Sequence, residues 1–293
     1  MWANGSFRFL ERIPNCMNGQ GRAVRNLLYN LVRRDLTVRY KSTLLGFFWS
    51  FIKPLALTAV FYVVFDKIIE VPLAEKNIPL ALHLLTGMLA WTFFSGACAE
   101  GMNVFLANAN LIKKVRLPLY VFPLAAVCSH MVHFILAFLV LVALLIIAGL
   151  TPSWEFVLVL PIMALQFLLT LAVVLALSAL NVFYRDVSSI WEVLTTAWFY
   201  ATPIIYPVSL ALEKMAPHGR WMEWLYLANP LTPIILAYRR VLLYAALDEP
   251  VLEMSSDAKL LGSLLVCALI TGVLLALSWR IFSSLSKLFA DEL

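Results

Sequence analysis

Residues 34–55 read RDLTVRYKSTLLGFFWSFIKPL, and within this stretch the chain passes from a charged segment to one apolar enough for lipid. Looking upstream, Arg22–Lys41 has the period of an amphipathic helix. At 100° per residue Val24, Leu27, Leu28, Leu31, Val32 and Val38 share one face, with Arg22, Arg25, Asn30, Arg33 and Thr37 opposite. A basic amphipathic helix beside a first span fits one lying in the cytoplasmic membrane interface. Asp35 interrupts the apolar face, and Arg39 follows one turn later, spaced for an i,i+4 pair. Such a pair is either a satisfied helix contact or a sign that this face docks on protein. Looking downstream, Leu44–Phe65 opens the apolar part of the chain, with Lys53-Pro54 inside it. A lysine at mid-bilayer costs ~2.5–3.5 kcal/mol on insertion scales, so Lys53 either snorkels to the interface or faces an aqueous path.

The rest of the 293 residues continues in the apolar manner, 62% hydrophobic and only 13% charged. Soluble domains run about 45–50% apolar and about 25% charged, so an ordinary soluble fold is excluded. A spanning helix needs about 20 mostly apolar residues. Blocks at residues 44–65, 80–98, 125–150, 156–183, 187–206 and 260–282 meet or approach that length, which predicts an all-α, polytopic membrane protein of six transmembrane helices. Pro118–Leu150 exceeds one span, and Pro123 suggests a lead-in bent before the membrane proper. Pro207–Lys259 is too apolar for a loop, yet Pro and charge interrupt it too often for a span. Residues 221–226 (WMEWLY) and 229–238 (NPLTPIILAY) are read as two re-entrant helices before the last span, their backbone ends covered by protein. The organisation expected is a variable extension over 1–21, the interface helix over 22–43, the transmembrane domain over 44–285 and a tail over 286–293.

Basic residues set the orientation. The segments before span one, between spans two and three, between four and five, and from the end of span six onward hold eight, three, one and two Arg/Lys. The opposite loops hold two, none and five, the five spread over the long Pro207–Lys259 region. By the positive-inside rule both termini are cytoplasmic and the re-entrant region faces outward. The net charge of +5 then serves topology and not nucleic acid. Residues 1–41 show no early apolar core of the kind a secretory signal needs. Cys16, Cys98, Cys128 and Cys267 form no CxxC pair, so neither a zinc site nor a disulfide framework is expected.

Chemistry-bearing patterns are sparse. His130 and His133 share a helical face but have no carboxylate or cysteine near them in sequence, so packing or interhelical hydrogen bonding is expected and a metal is not. Residues 18–22 (NGQGR) lack the glycine spacing and the Lys-Ser/Thr of a Walker A loop. Asp66, Glu70, Glu100, Glu155, Asp186 and Glu192 sit at or near block ends, which disfavours a proton path. No repeat relates the first three blocks to the last three, unlike many secondary transporters. An integral membrane enzyme acting on polyprenyl-linked sugars would call for acidic or histidine clusters near the membrane surface.

Taken in order, several segments resemble the permease subunits of ATP-binding-cassette type-2 polysaccharide exporters, the Wzm-like O-antigen and related glycan transporters. They are residues 34–55, 110–118 (NLIKKVRLP), 181–186 (NVFYRD), 201–206 (ATPIIY) and 229–234 (NPLTPI), so the likeness covers roughly residues 22–285. The resemblance implies a homodimer in the inner membrane of a bacterium, with two ATPase subunits on its cytoplasmic face that bind ATP and magnesium. This chain is then expected to bind no cofactor or metal, to carry no catalytic residue, and to export a lipid-linked glycan between the protomers. A surface for the ATPase is expected at Arg34, Asp35, Arg39, Lys113, Lys114, Arg185 and Asp186. A sugar path wants aromatic faces and few fixed charges, which points to Trp49, Trp91, Phe94, Trp198, Tyr200 and Tyr206, with Lys53 to meet a pyrophosphate. Aromatics also form interfacial belts and pack between helices, so Trp91 and Tyr206 have that plain reading too.

Overall fold

The computed structural model describes residues 20–40, 48–68, 80–114, 117–151, 153–215, 217, 219, 226, 228–244 and 257–292. Among them there is no strand. In chain order the helices are α1 (Gln20–Tyr40), α2 (Trp49–Tyr62, prolonged by a π-helical turn over Val63–Ile68), α3 (Leu80–Met102) and the short α4 (Val104–Ala107) and α5 (Ala109–Lys114). They continue with α6 (Val121–Ile147), α7 (Val159–Phe183, entered through a 3-10 turn over Trp154–Leu158), α8 (Val187–Ala201) and α9 (Val208–Met215). The last are α10 (Leu231–Arg239, ending in a π-helical turn over Arg240–Tyr244), α11 (Asp257–Leu285) and α12 (Phe289–Glu292).

Four helices are long and apolar enough to cross a membrane: α3, α6, α7 with its leading 3-10 turn, and α11. The chain is an all-α integral membrane protein. The α-helical parts of the other two expected spans are shorter. α2 has 14 residues before its π turn and α8 has 15. At 1.5 Å per residue, α8 reaches only ~22 Å. Its end is set by Pro203, which pushes Thr202 into extended backbone (φ −106°, ψ 139°) and stops the helix before the Tyr206 expected from hydropathy. The bend expected at Pro123 is absent. α6 begins at Val121, and Pro123 occupies its first turn, where a missing N–H costs nothing. α6 closes on Gly149 (φ +84°), with Leu150 N–H bonded to Leu145 O and Gly149 N–H to Ile146 O, the two bonds of a Schellman cap.

α3, α6 and α7 pack mutually as the centre, α11 lies along α7, and α2 lies along α3. α10 is enclosed by α3, α7 and α11, with all nine residues buried. Of the two re-entrant pieces expected, this is the second. Residues 221–225 of the first lie outside the described residues, and α9 is a helix the hydropathy did not suggest.

α1 crosses the start of α6. Its Leu31 is 5% exposed and joins Phe105, Phe122, Phe282 and Phe289 in one cluster, with Val24, Leu27, Leu28 and Val32 packed at its edge. The apolar face of α1 therefore rests on protein as far as Val32, whereas Val38 is 67% exposed. Because Phe289 joins this cluster, α1 and the C-terminal turn sit at the same end of the bundle. That end is called the α1 end below, and the other the α10 end.

Candidate functional site

At the α1 end, the elements carrying Arg34, Asp35, Lys113, Arg185 and Asp186 pack on the cluster around Phe289. Arg34 Nη2 lies 3.0 Å from Asp35 Oδ1, so the carboxylate is engaged by its immediate neighbour. The Arg39 side chain, expected as its partner, lies outside the described side chains, as do those of Lys53 and Lys114. Arg34, Asp35, Val38, Glu100, Ala107 and Asn108 line a cavity of about 390 Å³ between α1 and the corner after α3. One helix away, His130 Nε2 is 2.8 Å from Glu100 Oε2. Thirty residues separate them in sequence, which is why no carboxylate was visible beside the histidines. Gly96 makes the approach possible, since a Cβ there would stand 2.9 Å from His130 Cε1. Among the described residues no group of three His, Cys, Asp or Glu could hold a metal ion. Lys113 on α5 and Arg185 and Asp186 between α7 and α8 are all exposed. Leu111, Ile112 and Phe183 next to them pack on the same cluster as α1, so charge sits outside and anchoring inside.

The expected path aromatics fall into two sets. Trp91 and Phe94 are 8% and 0% exposed, packed inside the chain against Phe199, Trp191 and Trp198 with centroids 5.2–6.4 Å apart. Trp49 and Tyr200 are 42% and 61% exposed. Trp198 is half-buried, and Tyr206 donates its hydroxyl to Tyr200 O at 2.9 Å. On α8 only Trp191 is buried, so most of this helix is open on the surface of the chain.

Sequence reading passed over the polar contacts that hold α8 and α10 at the α10 end. Asn229 Oδ1 accepts from Trp198 Nε1 at 2.9 Å and from Leu231 N–H at 3.1 Å, while its Nδ2 donates to Thr202 Oγ1 at 2.9 Å. One side chain thus joins the end of α8 to the start of α10. Arg239, fully buried, donates Nη2 to Ile204 O at 2.9 Å. Gly87 on α3 leaves the room, since a Cβ there would lie 3.2 Å from both the guanidinium nitrogen and that carbonyl oxygen. Gln166, fully buried on α7, donates to Ala90 O and accepts from Tyr238 Oη, both at 2.8 Å. The one available signal was a lone polar residue inside an apolar block, as at Gln166; its partner was beyond sequence reach.

A model of the ABC-2 type transporter family matches residues 26–243. An O-antigen export system permease protein RfbA of Klebsiella pneumoniae is 32% identical over 224 residues, which is 76% of this chain and 82% of the relative. The protein of the same name from Myxococcus xanthus is 30% identical over 270 residues, 92% of this chain and 96% of the relative. The match spans most of α1, the three long helices α3, α6 and α7, α10 and the contacts around Asn229 and Arg239, and the chain belongs to the ABC-2 type transporter family.

Proposed function

We propose that this chain is the transmembrane permease subunit of an exporter that moves a lipid-linked polysaccharide, O-antigen or a related glycan, across the bacterial inner membrane. Energy comes from ATP hydrolysis on two separate nucleotide-binding subunits. The observation that carries this reading is the nearly end-to-end similarity to an O-antigen export permease, 92% of this chain against 96% of that one. The permease works as a homodimer of six-span chains, with α2 and α8 as the two spans beyond the four long helices. Both termini face the cytoplasm, and α9 and α10 face outward.

The ATPase docks on the α1 end, against Arg34, Asp35, Arg39, Lys113, Lys114, Arg185 and Asp186. A motor on a separate chain needs firm elements to push, and the packing of α1 on Phe105, Phe122 and Phe289 supplies one. The glycan passes between protomers along Trp49, Tyr200, Trp198 and Tyr206, with Lys53 meeting the pyrophosphate. Trp91 and Phe94 back that wall from inside each protomer.

The test is export in cells lacking their own O-antigen permease, supplied with this chain and its ATPase. Glycan should appear on the cell surface, and Asp35→Ala should lower transport-coupled ATP hydrolysis while the protein inserts normally. Absence of surface glycan, despite assembly with an active ATPase, refutes the assignment of cargo.

A further inference from the structure

At the α10 end, the loop entering α7, the π turn after α10 and the first turns of α11 enclose a groove of about 390 Å³. Leu158, Ile162, Leu165, Val241, Leu260 and Leu261 form its walls, and Leu261 is 62% exposed. Its mouth is different. Arg240 sits between two carboxylates, Nη1 3.0 Å from Glu155 Oε2 and Nε 3.0 Å from Asp257 Oδ1. Among the described residues lining the groove, one cation stands against two anions, a formal charge of −1. Lys259, two residues along α11, is not among the residues lining the groove. Trp154 stands on the rim with its side chain 81% exposed. Exposed tryptophan at the end of a spanning helix marks headgroup level. The ion cluster therefore lies at headgroup depth, and the apolar groove runs beneath it into the acyl region.

We infer that this groove binds one phospholipid whose headgroup bears a primary ammonium, its acyl chain between α7 and α11 and its ammonium against Glu155 and Asp257. The charge decides the class. Two carboxylates disfavour an anionic headgroup and equally disfavour the pyrophosphate of a lipid-linked glycan, so this is not a cargo site. A primary ammonium can hydrogen-bond to both carboxylates, whereas a quaternary one cannot. The inference rests only on the chain being a membrane protein, and stands or falls apart from its export role.

The test uses the full chain in phosphatidylcholine vesicles containing trace spin-labelled lipids, with the motionally restricted fraction measured by electron paramagnetic resonance. Spin-labelled phosphatidylethanolamine should associate about fivefold more than the phosphatidylcholine or phosphatidylglycerol probe, the size expected of one net hydrogen bond that a quaternary headgroup cannot make. Asp257→Asn should remove most of that preference. Leu261→Trp, which fills the groove without touching the ion pairs, should lower the restricted fraction of the ethanolamine probe alone. Equal association of all three probes with the parent overturns the inference, and is the result expected if a second copy or another part of this chain covers the groove. Preference for ethanolamine that survives both variants overturns it as well, because the lipid then binds elsewhere.

Discussion

Replacing Gly87 by alanine tests the Arg239 contact through a single methyl group. In a helix interior the change normally favours folding by about 0.5–1 kcal/mol, because glycine has more backbone freedom to lose. Here the new Cβ would lie 3.2 Å from Arg239 Nη2, 3.2 Å from Ile204 O and 3.3 Å from Ile204 Cα. Two of those three atoms are backbone, so swinging one side chain cannot relieve the crowding. Overfilling a packed site costs about 1–3 kcal/mol. If the guanidinium gives way instead, a charge-assisted hydrogen bond of about 1.5–3 kcal/mol is weakened. Either route outweighs the helix gain, leaving Gly87→Ala about 1–2 kcal/mol less stable by these magnitudes. Gly272 on α11 is the control, since a Cβ there meets nothing within 4 Å. Only the helical gain remains for Gly272→Ala, about 0.5–1 kcal/mol in the opposite direction. Thermal unfolding of the purified protein in detergent, followed by intrinsic fluorescence, should order the three proteins as Gly272→Ala, parent, Gly87→Ala. A Gly87→Ala variant that melts at or above the parent refutes the close approach of α3 to Arg239 and Ile204.

Asn229→Ala removes three hydrogen bonds and should cost about 2 kcal/mol, whereas Trp198→Phe removes one of them and should cost about 1. Equal melting temperatures for the two variants would show that Asn229 does not join α8 to α10. A double-mutant cycle of Gln166→Leu and Tyr238→Phe should give a coupling near 0.6 kcal/mol and at most about 1.7, the range of interhelical hydrogen bonds in lipid. Additive single effects, measured by denaturation in mixed micelles, would mean the 2.8 Å contact contributes nothing.

Legibility in the sequence followed the range of the physics involved. Local effects were readable. The 3.6-residue period of α1 puts Val24, Leu27, Leu28, Leu31 and Val32 on one face, and they pack on protein, although Val38 of the same face is exposed; the long apolar blocks are α3, α6, α7 and α11. Two helix ends differ from the expected ones, each at a proline. Pro203 ends α8 at Ala201 although apolar residues continue, and Pro123 lies comfortably inside the first turn of α6. Pairings across the bundle were out of reach. Glu100 meets His130 across 30 residues, Gln166 meets Tyr238 across 72, and Arg240 meets Glu155 across 85. No periodicity encodes such distances. The Asp35 carboxylate also meets the adjacent Arg34 at 3.0 Å, a contact the i,i+4 spacing does not suggest.

These long-range contacts gather where the chain is least regular, and lipid explains why. A nine-residue helix such as α10 is about 14 Å long, under half the hydrocarbon thickness. Buried among α3, α7 and α11, its end groups must find protein partners. Asn229 accepts from Leu231 N–H at one end, and Cys267 of α11 donates to Pro230 O at 3.2 Å. At the other end the Arg239 charge would be costly in lipid but finds the Ile204 carbonyl inside the protein. The irregular backbone after Ala201 supplies that carbonyl because, past the end of α8, its oxygen is outside any helical ladder. Pro203, which stops α8 short, is therefore also what makes an acceptor available for the buried arginine. The broken end of one helix and the charged end of another are stable at that position because each satisfies the other.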